Sequence, residues 1–395
     1  LCPGADSSAA LTTIYSTDRA YNQPTRGTVA AGYALRLLNV IFGAVTVLFT
    51  FLAARVMFPR TPLIALLAAA LIAFEPVTAR FVVTISNDAL LLAVCAALIW
   101  MSARVLTRPR LSGRDLVVLL ALALAAPLIK LPGWAALALA IFVLVYRVIT
   151  AAQYRRILLI GLAAVLVITA AIALFNQAQY GSVLGRYAAL GGRLTSLERI
   201  LNIPPVVITS VIAHTLNDLR APLNALQPRA AFANAYALML ITAWIGAWIG
   251  AIWAIARQPE HRRAFLFVCA AIVITLIMVI LRNTFNANAE NTTAYNTAMI
   301  FAPLRYYTPG IPAAAILIAA GLGVFLPRVS QRAAAMIPVG AFAFVSLISA
   351  ALLLISRPNI TLTAAQFDAL ENIQRLAPPD SQAPRILGYQ LASDP

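Results

Sequence analysis

The chain has 395 residues, of which 62% are hydrophobic and only 11% are charged, and its mean hydropathy is +0.87. A soluble domain carries about 25% charged residues, so this composition excludes a soluble globular protein and predicts an all-α polytopic membrane protein. The net charge of +16 does not indicate nucleic acid as a partner, because the basic residues fall in short clusters between apolar runs.

Apolar runs predict about ten membrane spans, two of them short enough to be re-entrant or half-spans. The runs cover residues 33–58, 62–74, 85–106, 116–129, 132–149, 157–175, 230–256, 264–281, 309–326 and 333–355.

These runs define a transmembrane domain over residues 33–356, with a long outer loop over 176–229. Residues 1–32 are polar and form what remains of a first extracytoplasmic loop, and residues 357–395 form an extracytoplasmic tail. The chain opens at Leu1 without Met and without an apolar leader. We therefore expect it to be a fragment whose N-terminal part is missing.

The arginines predict the orientation of the bundle. Alternate short connections are rich in Arg and nearly free of acids, which is typical of cytoplasmic loops in a plasma membrane protein. Their arginines are Arg55, Arg60, Arg104, Arg108, Arg110, Arg114, Arg147, Arg155, Arg156, Arg257, Arg262, Arg263, Arg328 and Arg332. The longer loops lie on the opposite side, so the functional face is predicted to be extracytoplasmic.

Polar residues concentrate at the beginning of the third span. Residues 74–100 combine Glu75, Arg80, Asn87 and Asp88 with a long apolar run. A charged group at membrane depth costs about 2.5–3.5 kcal/mol, so a partner or a function is expected for it. Asp88 is equally well interpreted as a helix cap, and Glu75 and Arg80 as solvated loop charges.

Lys130 is the only lysine, and it follows the run 116–129 at its outer end. One interpretation is a residue that extends its ammonium group to the membrane interface. The other is a point-charge contact to a phosphate, which a single Lys among arginines favours.

Arg305 and Tyr306 precede a late span, next to Pro309 and Pro312. The positive-inside rule disfavours Arg on the outer side, so Arg305 is a second candidate for phosphate binding. Tyr306 is also typical of the aromatic belt at a membrane interface.

Several short motifs occur in order over residues 34–323. They are Ala34-Leu35-Arg36-Leu37-Leu38-Asn39-Val40 with Gly43, Phe74-Glu75-Pro76, Ser86-Asn87-Asp88-Ala89-Leu90, Leu128-Ile129-Lys130-Leu131-Pro132-Gly133, Tyr180-Gly181, and Arg305-Tyr306 with Pro309 and Pro312. Their order resembles that in bacterial GT-C glycosyltransferases related to the dolichyl-phosphate-mannose protein mannosyltransferases (glycosyltransferase family 39).

This resemblance implies a GT-C-like helical bundle that transfers a sugar, with inversion, from a polyprenyl-phosphate sugar to a lipid, glycan or protein acceptor. Lys130 and Arg305 would then bind the donor phosphate, while Glu75, Arg80, Asn87, Asp88 and Tyr306 would line the outer cavity. The end of the tail resembles the first strand of a small β-domain sometimes appended to such chains.

The chain also departs from the family pattern. The family's catalytic Asp belongs to the first outer loop, and neither Asp6 nor Asp18 has the matching context. The catalytic residue is therefore unassigned. The sequence defines no metal ligands, and the resemblance leaves a divalent cation open as a cofactor.

Two other functions fit the same composition. A transporter or flippase of lipid-linked glycans would use outer cations in the same way, but it needs a polar path through the membrane midplane. An inactive membrane scaffold would need none of these contacts.

Overall fold

The computed structural model describes residues 26–74, 78, 82, 86–108, 111–180, 230–289 and 304–324. Within these ranges the regular secondary structure is helical, without a strand. The helices are α1 (Arg26–Met57), α2 (Pro62–Phe74), α3 (Asp88–Thr107), α4 (Gly113–Ile129), α5 (Gly133–Thr150), α6 (Arg155–Tyr180), α7 (Ala230–Arg257), α8 (Pro259–Ala289) and α9 (Ile311–Gly323). Two 3-10 helices span Ala152–Tyr154 and Leu304–Gly310.

The prediction of a helical membrane protein is confirmed, whereas ten spans are not shown. Helices coincide with nine of the ten predicted runs, and the run 333–355 lies outside the described residues. Five helical segments are long and apolar enough to cross a membrane, namely Gly32–Met57, Asp88–Thr107, Gly133–Thr150, Ala152–Gln179 and Pro259–Leu281. Two shorter apolar helices span Pro62–Phe74 and Tyr307–Gly323.

The chain divides into two compact units. One comprises residues 36–350, and the other comprises residues 1–35 and 351–395. Of the second unit the structure describes residues 26–35, which form the first turns of α1. The proposed outer loop lies almost entirely, and the tail wholly, outside the described ranges.

Local sequence explains where the helices begin and end. Helix α1 ends at Met57, just before the Phe58-Pro59 step, because a residue that precedes proline disfavours the helical conformation. Helix α2 then begins on Pro62, whose missing N–H costs nothing in a first turn. Ser112 caps α4, since its hydroxyl accepts a hydrogen bond from the backbone N–H of Asp115 at 3.2 Å.

Helix α3 lies at the centre of the larger unit. It contacts α4, α5, α8 and α9, and most of its side chains are buried. Small residues allow close packing elsewhere: a Cβ added to Gly321 of α9 would collide with the backbone carbonyl of Ala247 in α7. The bundle is therefore held by tight helix contacts, as expected where lipid supplies little hydrophobic driving force between helices.

The charged residues of α3 are confined to its two ends. Asp88 is its first residue and Arg104 lies in its last turn, about 24 Å away at a rise of 1.5 Å per residue. Asp88 contacts Lys130 at the end of α4, and Arg104 contacts Asp115 at the beginning of α4. We call these regions the Asp88 end and the Asp115 end of the bundle.

Candidate functional site at the Asp88 end

A tight turn between α4 and α5 places Lys130. Lys130 is the C-cap residue of α4, with extended backbone and its N–H donating to the carbonyl of Ala126 at 3.3 Å. The chain reverses at once, because the N–H of Gly133 donates to the carbonyl of Lys130 at 2.9 Å. A Cβ at Gly133 would collide with the Ala126 carbonyl, so this turn requires glycine.

The side chain of Lys130 forms an ion pair with Asp88. Its Nζ lies 2.5 Å from Oδ1 of Asp88, and the exposed fractions of the two side chains are 19% and 6%. An ion pair this far from water gains from the low local dielectric, but each charge needs the other to offset its desolvation. Lys130 and Asp88 are therefore energetically dependent on each other.

Further hydrogen bonds fix the residues that precede α3. The hydroxyl of Ser86 donates to Oδ2 of Asp88 at 3.1 Å, and the amide of Asn87 donates to the carbonyl of Ile129 at 2.8 Å. The amide of Asn39, from α1, donates to the carbonyl of Ser86 at 3.3 Å. Helices α1, α3 and α4 thus converge on one short segment.

The interpretation of Asp88 as the helix cap is wrong by one residue. Asn87 occupies the N-cap position, its side chain makes no capping hydrogen bond, and Asp88 is the first helical residue. The carboxylate of Asp88 is instead directed to Ser86 and Lys130. The sequence placed a polar cluster here correctly, but not the partner of each group.

The other sequence candidates are described only in part. The backbone of Arg305 and Tyr306 belongs to the 3-10 helix Leu304–Gly310, which contacts α3 and α8. Their side chains, together with Glu75 and Arg80, lie outside what the structure describes. The segment that carries Arg305 therefore lies against the helix that begins with Asp88.

Ser86 and Asn39 are contact residues that sequence reasoning did not single out. Both belong to the motifs quoted above, and an Asn inside the apolar run of α1 was a usable signal, because a buried amide needs a partner. Within the described ranges, no group of three His, Cys, Asp or Glu side chains could hold a metal ion.

The arrangement is suited to binding an anion near the membrane surface. An ammonium group has three N–H donors, and among the described contacts Lys130 uses one, to Asp88. The start of α3 adds the partial positive charge of a helix N-terminus. Since the carboxylate neutralises much of this charge, a phosphate would need a further cation, and Arg305 is the sequence candidate for it.

No protein-family model, curated protein or solved structure matches the chain. The fold and the apolar helices define its class as a helical membrane protein. Any assignment to a narrower group depends on the sequence motifs and on the chemistry of the Asp88 end.

Proposed function

We propose that the protein is a GT-C-like membrane glycosyltransferase that takes a sugar from a polyprenyl-phosphate donor. The observation that carries the proposal is the Lys130–Asp88 ion pair, held in place by Ser86 and Asn87 at the start of α3. The same residues belong to the motifs that resemble this group of enzymes.

The proposed reaction breaks the bond between the anomeric carbon and a phosphate oxygen and forms a bond from that carbon to an acceptor oxygen. Negative charge develops on the departing phosphate, and cations fixed beside it would stabilise the transition state. Lys130 and Arg305 have this role in the proposal. Asp88 orients Lys130 through the ion pair, and is a positioning residue.

The acceptor hydroxyl must also lose a proton, which requires a base close to it. We assign no described residue to this step, because Asp88 is already engaged by Lys130 and Ser86. The acceptor would be a lipid, glycan or protein on the extracytoplasmic side of the plasma membrane.

A flippase for lipid-linked glycans is the competing proposal. It would need polar groups along the path between the two membrane surfaces. Between Asp88 and Arg104 the sequence of α3 has no charged residue. Helix α3 therefore offers no ionisable relay through the midplane, and we favour the enzyme.

The direct test reconstitutes the full chain in liposomes and measures transfer of sugar from a panel of hexosyl and pentosyl polyprenyl phosphates to added lipid, glycan and protein acceptors. We expect Lys130→Met and Arg305→Gln to abolish turnover. Arg60→Gln is the matched control, because its side chain is 80% exposed at the other end of the bundle.

Size-exclusion profiles and circular dichroism would show that the variants are folded. Lys130→Arg keeps the positive charge but replaces the ammonium group, so it would test whether charge alone supports turnover. Unchanged turnover in both Lys130→Met and Arg305→Gln would overturn the phosphate-binding roles. Absence of any turnover, together with faster transbilayer movement of the donor lipid, would favour the flippase.

A further inference from the structure

Three helix ends bring arginines together at the Asp115 end. Arg104 lies in the last turn of α3, Arg108 caps the same helix, and Arg147 lies in the last turn of α5. Arg263 lies near the start of α8, a helix that contacts α5. One carboxylate, Asp115, lies in the first turn of α4.

Asp115 is fully engaged by two of these arginines. Its Oδ1 accepts from Arg104 at 3.1 Å and its Oδ2 accepts from Arg108 at 3.2 Å. The Asp115 side chain is only 9% exposed. Its single negative charge is therefore shared between two guanidinium groups and leaves a net positive charge.

Arg147 has no such partner. It is 7% exposed, and its described hydrogen bond is to the backbone carbonyl of Arg108, at 3.3 Å. Among the described residues, its Nε has no hydrogen-bond acceptor and its guanidinium group forms no ion pair. A buried guanidinium without a counter-charge is strongly disfavoured, so an anion from outside the chain would stabilise it.

We propose that the Asp115 end binds a phosphate group, with Arg147 and Arg108 as its principal contacts. The planar guanidinium fork matches phosphate oxygens in a bidentate manner. Arg108 has a half-exposed side chain, which gives the ligand a route from the membrane surface. This proposal does not depend on the proposed glycosyltransferase function, because it concerns the opposite end of α3.

The phosphate has two chemical sources, a phospholipid headgroup and free inorganic phosphate. The arginine distribution predicts that this end faces the cytoplasm, where anionic phospholipids concentrate and basic pockets between helices bind their headgroups. Both sources offer the same phosphate oxygens, so the experiment has an arm for each.

The experiment measures thermal unfolding of the purified full chain in neutral detergent. Phosphatidylglycerol is titrated in one arm, sodium phosphate in a second, and phosphatidylcholine or sodium chloride at equal ionic strength serves as the reference. We expect a concentration-dependent rise in Tm with phosphatidylglycerol. Native mass spectrometry should show the same lipid retained on the protein.

Arg147→Gln should weaken the apparent affinity about ten-fold or more, since it removes a charge-assisted hydrogen bond to phosphate. Arg156→Gln is the control: it removes an exposed cation on α6 and should leave the affinity unchanged. If Arg147→Gln does not fold, Arg108→Gln provides the test, because its half-exposed side chain contributes less to packing.

A rise with phosphatidylglycerol alone identifies a headgroup site, and a rise with sodium phosphate as well identifies a site for free phosphate. Absence of a rise in both arms overturns the proposal. An equal rise in Tm in the wild type and in the variant that folds overturns it too, because the stabilisation would then come from the overall positive charge of the protein and not from this site.

Discussion

The ammonium nitrogen of Lys130 lies 2.5 Å from a carboxylate oxygen of Asp88, although 42 residues separate the two in the chain. The contact joins the end of α4 to the start of α3. It also explains how a lysine and an aspartate tolerate positions with 19% and 6% side-chain exposure, since each offsets the charge of the other.

Removing both partners should destabilise the bundle by less than the two single removals added together. Asp88→Asn and Lys130→Met should each lower the free energy of unfolding by about 3 kcal/mol, because an unpaired buried charge remains. The double variant should lose clearly less than the sum of the two. Unfolding in mixed micelles with increasing denaturing detergent measures all four proteins, and simple additivity would refute the coupling.

The turn that positions Lys130 should not tolerate a side chain at Gly133. Gly133→Ala forces a Cβ onto the Ala126 carbonyl and should cost about 1–3 kcal/mol, with weaker donor binding as a consequence. Gly113→Ala is the matched control, because Gly113 also begins a helix but has nothing within 4 Å of an added Cβ. The same unfolding assay compares them, and equal stability of the two variants would contradict the prediction.

Most of the helical architecture could be predicted from sequence, because hydropathy reports directly on burial in lipid or protein. The run 62–74 matches α2 at both ends, and the run 132–149 differs from α5 by one residue at each end. The number of membrane crossings could not be predicted in the same way, since α2 has only 13 residues and a helix of that length does not establish a crossing.

Side-chain partners could not be predicted in the same way. Hydropathy gives the depth of Asp88 and Lys130 in the membrane, but not which helices are neighbours around the bundle. At the Asp115 end the sequence carries one local signal, because Ser112 stands three residues before Asp115, which is the spacing of a helix cap. The contact of Arg104 with that carboxylate depends on the packing of α3 against α4.

The two carboxylates that pair with arginines, Asp115 and Glu260, should contribute very differently to the stability of the bundle. Asp115→Asn leaves Arg104 and Arg108 without their buried counter-charge and should lower the free energy of unfolding by about 3 kcal/mol. Glu260→Gln breaks a pair with Arg60 whose side chains are 80% and 56% exposed, and should cost less than about 1 kcal/mol. A comparable loss in both variants would show that burial does not determine how much these ion pairs contribute to the free energy of unfolding.

The crossing of α7 and α9 should depend on one glycine. Gly321→Ala pushes a methyl group into the backbone of Ala247 and should destabilise the bundle by about 1–3 kcal/mol. Gly323→Ala, in the same helix, meets Ile64 at an ordinary 3.7 Å and should be neutral or stabilising by up to about 1 kcal/mol. Thermal unfolding of both variants in detergent distinguishes these outcomes, and a neutral Gly321→Ala would mean that the two helices can separate without cost.

The two ends of the bundle should be reachable from opposite sides of the membrane. Asn87→Cys marks the Asp88 end. Glu260→Cys marks the opposite end, because Glu260 pairs with Arg60, which follows the last residue of α1. Both positions are exposed, so a difference in labelling reports on sidedness and not on burial.

The substitutions are made after Cys2, Cys95 and Cys269 have been replaced by Ser, and intact cells are treated with a membrane-impermeant maleimide. Because the arginines predict a cytoplasmic Asp115 end, Asn87→Cys should react in intact cells and Glu260→Cys only after permeabilisation. The reverse pattern would place the Lys130–Asp88 pair on the cytoplasmic side. A sugar donor would then have to be presented from the cytoplasm, and the extracytoplasmic form of the proposed reaction would be refuted even if Lys130 still bound phosphate.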